Sequence, residues 1–163
     1  MDGGVTPRIF ALNAEHCIAA HEALFIQMWN VTQARDVDQA LLELLRFAEE
    51  QPRMLALVIV AANSPVPDAA TRARLKLFSQ SFPKETRCLA YVYEGQGVRA
   101  GAIRAIMATL ALLQRSSTPF RVFANVEAAL AWMATFEPDP ARGRVFAEAV
   151  EAVGRRLAEA ARR

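Results

Sequence analysis

The side chains best suited to metal binding or nucleophilic attack are two histidines and two cysteines: His16, His21, Cys17 and Cys88. His16 and Cys17 are adjacent, which in an extended strand turns them to opposite faces. His21 follows five residues after His16, and neither Cys-x-x-Cys nor His-x-x-x-His spacing occurs. A Gly-x-Ser-x-Gly elbow is also missing, and a Cys–His pair would need His16 or His21 to fold onto Cys88. The pattern predicts no metal centre, no nucleophile and hence no enzyme. Both histidines read as edge-strand or turn residues.

Phosphate chemistry has one candidate. Gly95-x-Gly97-x-x-x-Gly101 follows a strand pattern and opens a helix pattern, where backbone N–H groups can cradle a phosphate. A dinucleotide site also needs an acidic residue at the end of the next strand to bind the ribose. That strand ends Phe123-Ala124-Asn125, without a carboxylate. The glycines therefore read first as turn residues, and no cofactor is expected.

A second candidate is the segment Asn63 to Thr71, which follows the most apolar strand pattern. Ligands of open α/β sheets bind beyond the carboxyl ends of the strands. Ser64, Asp68 and Thr71 supply polar groups on that edge, together with Gly95 and Gly97 from the neighbouring turn. These five residues form the expected binding edge for a partner or ligand. A phosphate on Ser64 or Thr71 would meet the positive end of a helix dipole but be repelled by Asp68. The simpler roles are Asp68 as a helix N-cap and Ser64 as a turn residue.

The elements that position these residues follow from periodicity. Leu24, Ile26 and Met28 alternate with Phe25, Gln27 and Trp29, as in a strand partly covered on both faces. Cys17 to Ala20 is its expected partner, with His21-Glu22 at the reversal, and Arg8 to Leu12 adds a short edge strand. Asp36 is placed to cap a helix from Val37 to Glu50, with Val37, Leu41, Leu44, Leu45 and Ala48 facing inward. Met54 to Ala61 is continuously apolar, which implies a central parallel strand buried on both sides. Asp68 opens a helix to about Ser81 with Ala70, Ala73, Leu77 and Phe78 inward. Cys88 to Tyr93 is a strand, and Val98 to about Gln114 is a very apolar helix facing inward with Ala102, Ile103, Ile106, Leu110 and Leu113, beside Met107 and Leu112. Phe120 to Ala124 is the last strand, and Asn125 caps a helix holding Leu130, Trp132 and Met133.

This order, β-β-α-β-α-β-α-β-α, predicts an α/β fold with a mixed, mainly parallel sheet flanked by helices. It spans residues 1–136. Residues 137–163 form a helical extension after Pro138 and Pro140, with Phe146, Val150, Val153 and Leu157 along a narrow seam. That seam must cover either its own domain or a partner subunit, so a homodimer through this helix is one expectation.

Composition narrows the function classes. The chain is 53% apolar and 22% charged, as globular domains are, with a net charge of only +2. Its acidic and basic residues are interspersed except at Arg155, Arg156, Arg162 and Arg163, which argues against a nucleic-acid partner. The longest apolar run, Met54 to Ala62, is far short of the roughly 20 residues a bilayer requires. Met1-Asp2-Gly3-Gly4 has no basic or apolar leader character. With two cysteines in separate apolar contexts, the expectation is a cytoplasmic protein with buried, reduced thiols.

The element order, closing with Arg121-Val122-Phe123-Ala124-Asn125-Val126-Glu127-Ala128-Ala129-Leu130-Ala131-Trp132-Met133, resembles the STAS domain. It is especially similar to the small bacterial STAS-like, or SpoIIAA-like, proteins over residues 8–136. STAS is the fold of bacterial anti-sigma factor antagonists, so the resemblance implies a regulatory domain that docks onto a protein partner of unknown identity. In that family a regulatory serine follows the third strand in an Asp-Ser-x-Gly-type sequence. Ser64 occupies the matching loop, but Asn63-Ser64-Pro65 lacks the glycine, and the phosphorylation switch does not carry over. A second reading is a small apolar-ligand binder whose pocket is lined by Val98 to Gln114 with Phe78, Phe82 and Trp132. A nucleotide binder using the Gly95 turn is a third.

Overall fold

Alternation of strands and helices produces a single six-stranded sheet in the computed structural model, which describes residues 4–113 and 117–163. The strands are β1 (Arg8–Leu12), β2 (His16–His21), β3 (Leu24–Trp29), β4 (Leu55–Val60), β5 (Cys88–Tyr93) and β6 (Phe120–Phe123), and they lie side by side in sequence order. β1–β2 and β2–β3 pair antiparallel, whereas β3 through β6 are parallel, so β2 alone runs against the rest. Five helices complete the described chain: α1 (Ala34–Glu50), α2 (Ala69–Gln80), α3 (Val98–Leu113), α4 (Val126–Ala134) and α5 (Ala141–Ala161). Among the described residues no helix is long and apolar enough to cross a membrane.

The two sheet faces carry separate cores, because successive strand residues point to opposite sides. Cys17, Ile26, Leu57, Ile59, Ala90 and Val92 face α4 and α5. Ile18, Phe25, Val58, Val60 and Tyr93 face α1, α2 and α3. β4 is buried along its whole length, as its continuous apolarity requires. Because β3 to β6 follow in one direction, the three crossover helices all lie on one face. The second face is left to α4 and α5.

Local chemistry explains the boundaries. The β2–β3 reversal uses only Glu22 and Ala23, and Glu22 takes a positive φ of 50° in place of the usual glycine or asparagine. β1 forms the edge, with a bulge at Phe10 between Ile9 and Ala11. Phe10 stacks over Phe25 and meets the edge of Phe47. Asp68 caps α2 by accepting the Thr71 N–H at 2.7 Å, and Asn125 caps α4 by accepting the Ala128 N–H at 2.8 Å.

Several expected helix faces shift. α1 begins at Ala34, with Gln33 as the cap residue, so Asp36 lies inside its first turn and is buried. Its inner side is Val37, Ala40, Leu44 and Phe47, while Leu45 is exposed. α2 packs mainly on α1 and joins the core on this sheet face through Phe78, burying only Thr71 and Phe78. Ala70, Ala73 and Leu77, expected inside, are exposed. α3 lies over β5 and β6 at the sheet edge, where a covering neighbour is missing on one side. Its apolar composition therefore does not translate into burial: Ile103 is half-buried, Ala102 and Ile106 are exposed, and Val98 is 92% exposed. The side chains of Leu110, Leu112 and Leu113, and Gln114, lie outside the described residues.

α5 settles what covers its seam. Phe146, Ala149, Val150, Val153 and Leu157 are buried against β1, β2, β3 and α4 of the same chain. Burying each large side chain contributes about 1.5–3 kcal/mol. That apolar stripe is consumed within the chain, which removes the basis for a dimer formed through it. The junction before α5 is also tied down. Glu137 is buried and accepts from Arg87 Nη2 at 3.1 Å, while Arg87 Nη1 donates to the Phe136 carbonyl at 3.0 Å.

Candidate functional site

Ser64, Asp68, Thr71, Gly95 and Gly97 lie together beyond the carboxyl ends of β4 and β5, but their packing leaves no open space among them. Asp68 is exposed and committed to capping α2, and the bond from Thr71 holds its carboxyl below the ordinary carboxylate range. Thr71 and Ser64 are buried, and the Ser64 N–H donates to the Ala61 carbonyl at 3.0 Å. Gly95 and Gly97 have φ of 115° and 92°, conformations that side chains rarely adopt. A Cβ on Gly95 would stand 3.1 Å from the Cβ of Ala62, so the turns after β4 and β5 press directly together. Arg104 Nη1 donates to the Tyr93 and Gly95 carbonyls, both at 3.0 Å, and anchors the second turn to α3.

Topology gives the physical reason. A crevice opens in a doubly wound sheet where two neighbouring loops depart to opposite faces. Here both loops turn toward the α1–α3 face, and nothing separates them. The five residues share one edge without enclosing a ligand.

The open space is on the other side of the same edge. A cavity of about 640 Å³ lies between α4, α5 and the carboxyl ends of β3, β4 and β5. That volume is within the range of about 300–1,000 Å³ usual for small-molecule sites. Its floor is Met28, Trp29 and Ile59, and its mouth includes Asn30, Ala61 and Glu94, the first residues after those three strands. α4 contributes Val126, Glu127 and Leu130. α5 contributes Ala147, Val150, Glu151, Gly154 and Leu157, which helical spacing lines up as one stripe. The apolar lining therefore comes from four separate segments.

Phe78, Phe82 and Trp132 do not form the pocket expected of them. The two phenylalanines meet edge to face on the α1–α3 side. Trp132 packs between Phe123 and Phe136 on the opposite side of the sheet. The cavity residues left a faint trace in the sequence. Gly154 interrupts an otherwise strong helix pattern, and glycine inside a helix costs about 1 kcal/mol relative to alanine. Which strand ends α5 would cover could not be read from that glycine alone.

On the opposite face of the sheet, against α1, sits a buried polar group expected at an edge or turn. His16 is 1% exposed, and its ring stacks on Trp29 with centroids 5.0 Å apart. Its Nδ1 lies 3.7 Å from Asp36 Oδ2. Gln27 accepts from Trp29 Nε1 at 3.3 Å. Both His16 nitrogens, Gln27 Nε2 and Asp36 Oδ2 are without hydrogen-bond partners. Burial holds the His16 pKa below 6.5, against the pull of Asp36 and Glu15 and with a small push from Arg35 in the same direction.

The thiols are structural. Cys17 and Cys88 are free and buried on the α4–α5 face. Desolvation pushes their pKa up to about 11 and about 12, which keeps both protonated and suppresses nucleophilic attack. Among the described residues no three His, Cys, Asp or Glu side chains are grouped to hold a metal ion. No protein-family model, no curated protein and no solved structure matches this chain.

Proposed function

We propose that this chain is a STAS-like binding protein, without catalytic activity of its own, that holds a small apolar ligand between α4, α5 and the sheet. The cavity of about 640 Å³ carries the reading, because its walls are mostly hydrocarbon and open at the carboxyl ends of the parallel strands. The STAS resemblance supplies the regulatory side: ligand occupancy would be reported to a protein partner. The protonated thiols and the buried neutral histidine are consistent with binding as its mode of action. Two buried free thiols suit a reducing compartment such as the cytoplasm.

The test uses Nile red, an uncharged apolar dye. It is expected to bind at one site per chain, and Gly154→Leu, which fills the cavity from α5, is expected to abolish that binding. Dye binding that persists unchanged in a folded Gly154→Leu protein would overturn the assignment.

A second reading, docking of a protein partner on the α1–α3 face, is favoured by the side chains exposed there. Leu42, Val66, Leu77, Val98 and Ile106 are all exposed on or beside these three helices. Replacing Val98 and Ile106 by serine should then abolish partner capture without affecting dye binding.

A further inference from the structure

The three helices on one sheet face divide their charge unevenly. α1 carries Asp36, Asp38, Glu43, Glu49 and Glu50 against two arginines. α2 carries Arg72, Arg74 and Lys76, α3 carries Arg99 and Arg104, and neither helix contains an acidic residue. Arg74 reaches Asp38 on α1 at 3.5 Å, and Arg104 Nη1 is committed to the Tyr93 and Gly95 carbonyls. Arg72, Lys76 and Arg99 are exposed, and none of them forms an ion pair with a described residue. The same two helices part above β5. That strand is flanked by β4 and β6, and Cys88, Ala90 and Val92 are fully buried on its α4–α5 side. Leu89 and Tyr91, on the α1–α3 side, are only half-buried, because α2 leans on α1 and leaves β5 partly open. Since Arg74 points toward α1, the opposite flank of α2, with Arg72 and Leu75, faces α3. α3 runs parallel to α2, and Arg99, Ile103 and Ile106 follow at helical spacing on its matching flank. The furrow between them has an apolar floor and walls, with cations along both rims.

We infer that this furrow docks an acidic amphipathic helix of a protein partner, with its apolar stripe on Leu75, Tyr91, Ile103 and Ile106 and its carboxylates beside Arg72, Lys76 and Arg99. This rests on the partner-docking reading above and gives that partner its chemistry. Charge complementarity selects the occupant. The most acidic helix a second copy could offer is α1, whose Asp38, Glu43 and Glu50 already face Arg74, Arg46 and Arg8 of their own chain. An anionic membrane surface fits less well, since the large apolar side chains exposed here are all aliphatic and membrane interfaces favour tryptophan and tyrosine. One feature opposes the inference: Asp68 lies close enough to Arg72 to offset part of its charge. Lys76 and Arg99 therefore carry most of the attraction.

Fluorescence anisotropy with two designed peptides of about 15 residues, long enough to form a helix, tests this. Both carry a leucine stripe, flanked by glutamates in one and by lysines in the other. The glutamate peptide should bind about tenfold more tightly than the lysine peptide, with an advantage that shrinks at high salt. The Lys76→Glu/Arg99→Glu double variant should reverse that preference, whereas Ile106→Ser should weaken the glutamate peptide without reversing it. Equal binding of the two peptides overturns the charge assignment and leaves partner docking standing. If neither binds, the furrow is not a docking site, and the partner-docking reading then depends on the Val98 and Ile106 serine variants alone. Tighter binding to phosphatidylserine vesicles than to the glutamate peptide overturns the inference in favour of a membrane. Self-association that is lost in the double variant overturns it in favour of a second copy.

Discussion

His16 Nδ1 stands 3.7 Å from Asp36 Oδ2, with both side chains buried where β2 meets the first turn of α1. The distance is too long for a hydrogen bond, and the ring is better solvated in the unfolded chain than in the fold. Burial is the largest influence on the ring and lowers its pKa from 6.5. The unfolded chain therefore takes up the proton at higher pH than the folded one does. Stability contributed here is complete above about pH 6.5 and declines as the pH falls toward the lowered value. Urea midpoints at about pH 7.5 and 5.5 should differ less for His16→Phe, which keeps the stack on Trp29. Asp36→Asn removes a group that supports the charged ring, and should make the acid loss steeper.

Gly154 sits on the cavity side of α5, and a Cβ there would meet only Met28 Sδ, at an ordinary 3.9 Å. Gly154→Ala should therefore raise the unfolding free energy by about 0.5–1 kcal/mol through lower chain entropy. The same methyl narrows the cavity. Thermal melts with a Nile red titration should show higher stability together with weaker dye binding.

Gly95 and Gly97 separate conformational strain from steric contact. Both have positive φ, but only Gly95 would carry its Cβ into a neighbour, Ala62 at 3.1 Å. Alanine at either position is expected to cost about 1–3 kcal/mol, with Gly95→Ala the more damaging. Adding Ala62→Gly should recover part of the Gly95→Ala loss and none of the Gly97→Ala loss, as denaturant unfolding of the double variants would measure.

Arg87 links the start of β5 to the α4–α5 junction through Glu137, whose side chain is 2% exposed. Glu137 has a second, longer contact with Arg142 at 3.5 Å. Arg87→Met strands the carboxylate in the interior and should lower stability by about 3 kcal/mol in urea unfolding. A loss below about 1 kcal/mol would mean that Arg142 alone satisfies Glu137.

Much of the fold was legible because it depends on local pattern. The continuous apolarity of Leu55–Val60, the cap at Asp68 and the cap at Asn125 each state a local requirement that the structure meets. Errors arose where neighbours decide burial. Asp36 looks like a cap from its position before an apolar run, but Gln33 starts the helix and Asp36 turns toward His16. Ile106 and Leu77 belong to apolar stripes, yet α2 rests on α1 and α3 on the sheet edge, which leaves part of each stripe uncovered.

What the sequence determined by itself is the alternating α/β order, the apolar central strands and the position of Ser64, Asp68, Thr71, Gly95 and Gly97 in the segments that follow β4 and β5. Periodicity and capping act over a few residues, so they can be read without knowing the fold. The tertiary structure alone decided that these five residues leave no open space among them and that the cavity lies behind them. Strand order sends the loops after β4 and β5 to one face, while on the other α5 packs over β1, β2 and β3 and α4 over β5 and β6, which leaves the space between them at the strand ends. The cavity therefore depends on long-range packing between residues as distant as Met28 and Gly154, a relation that no local pattern contains.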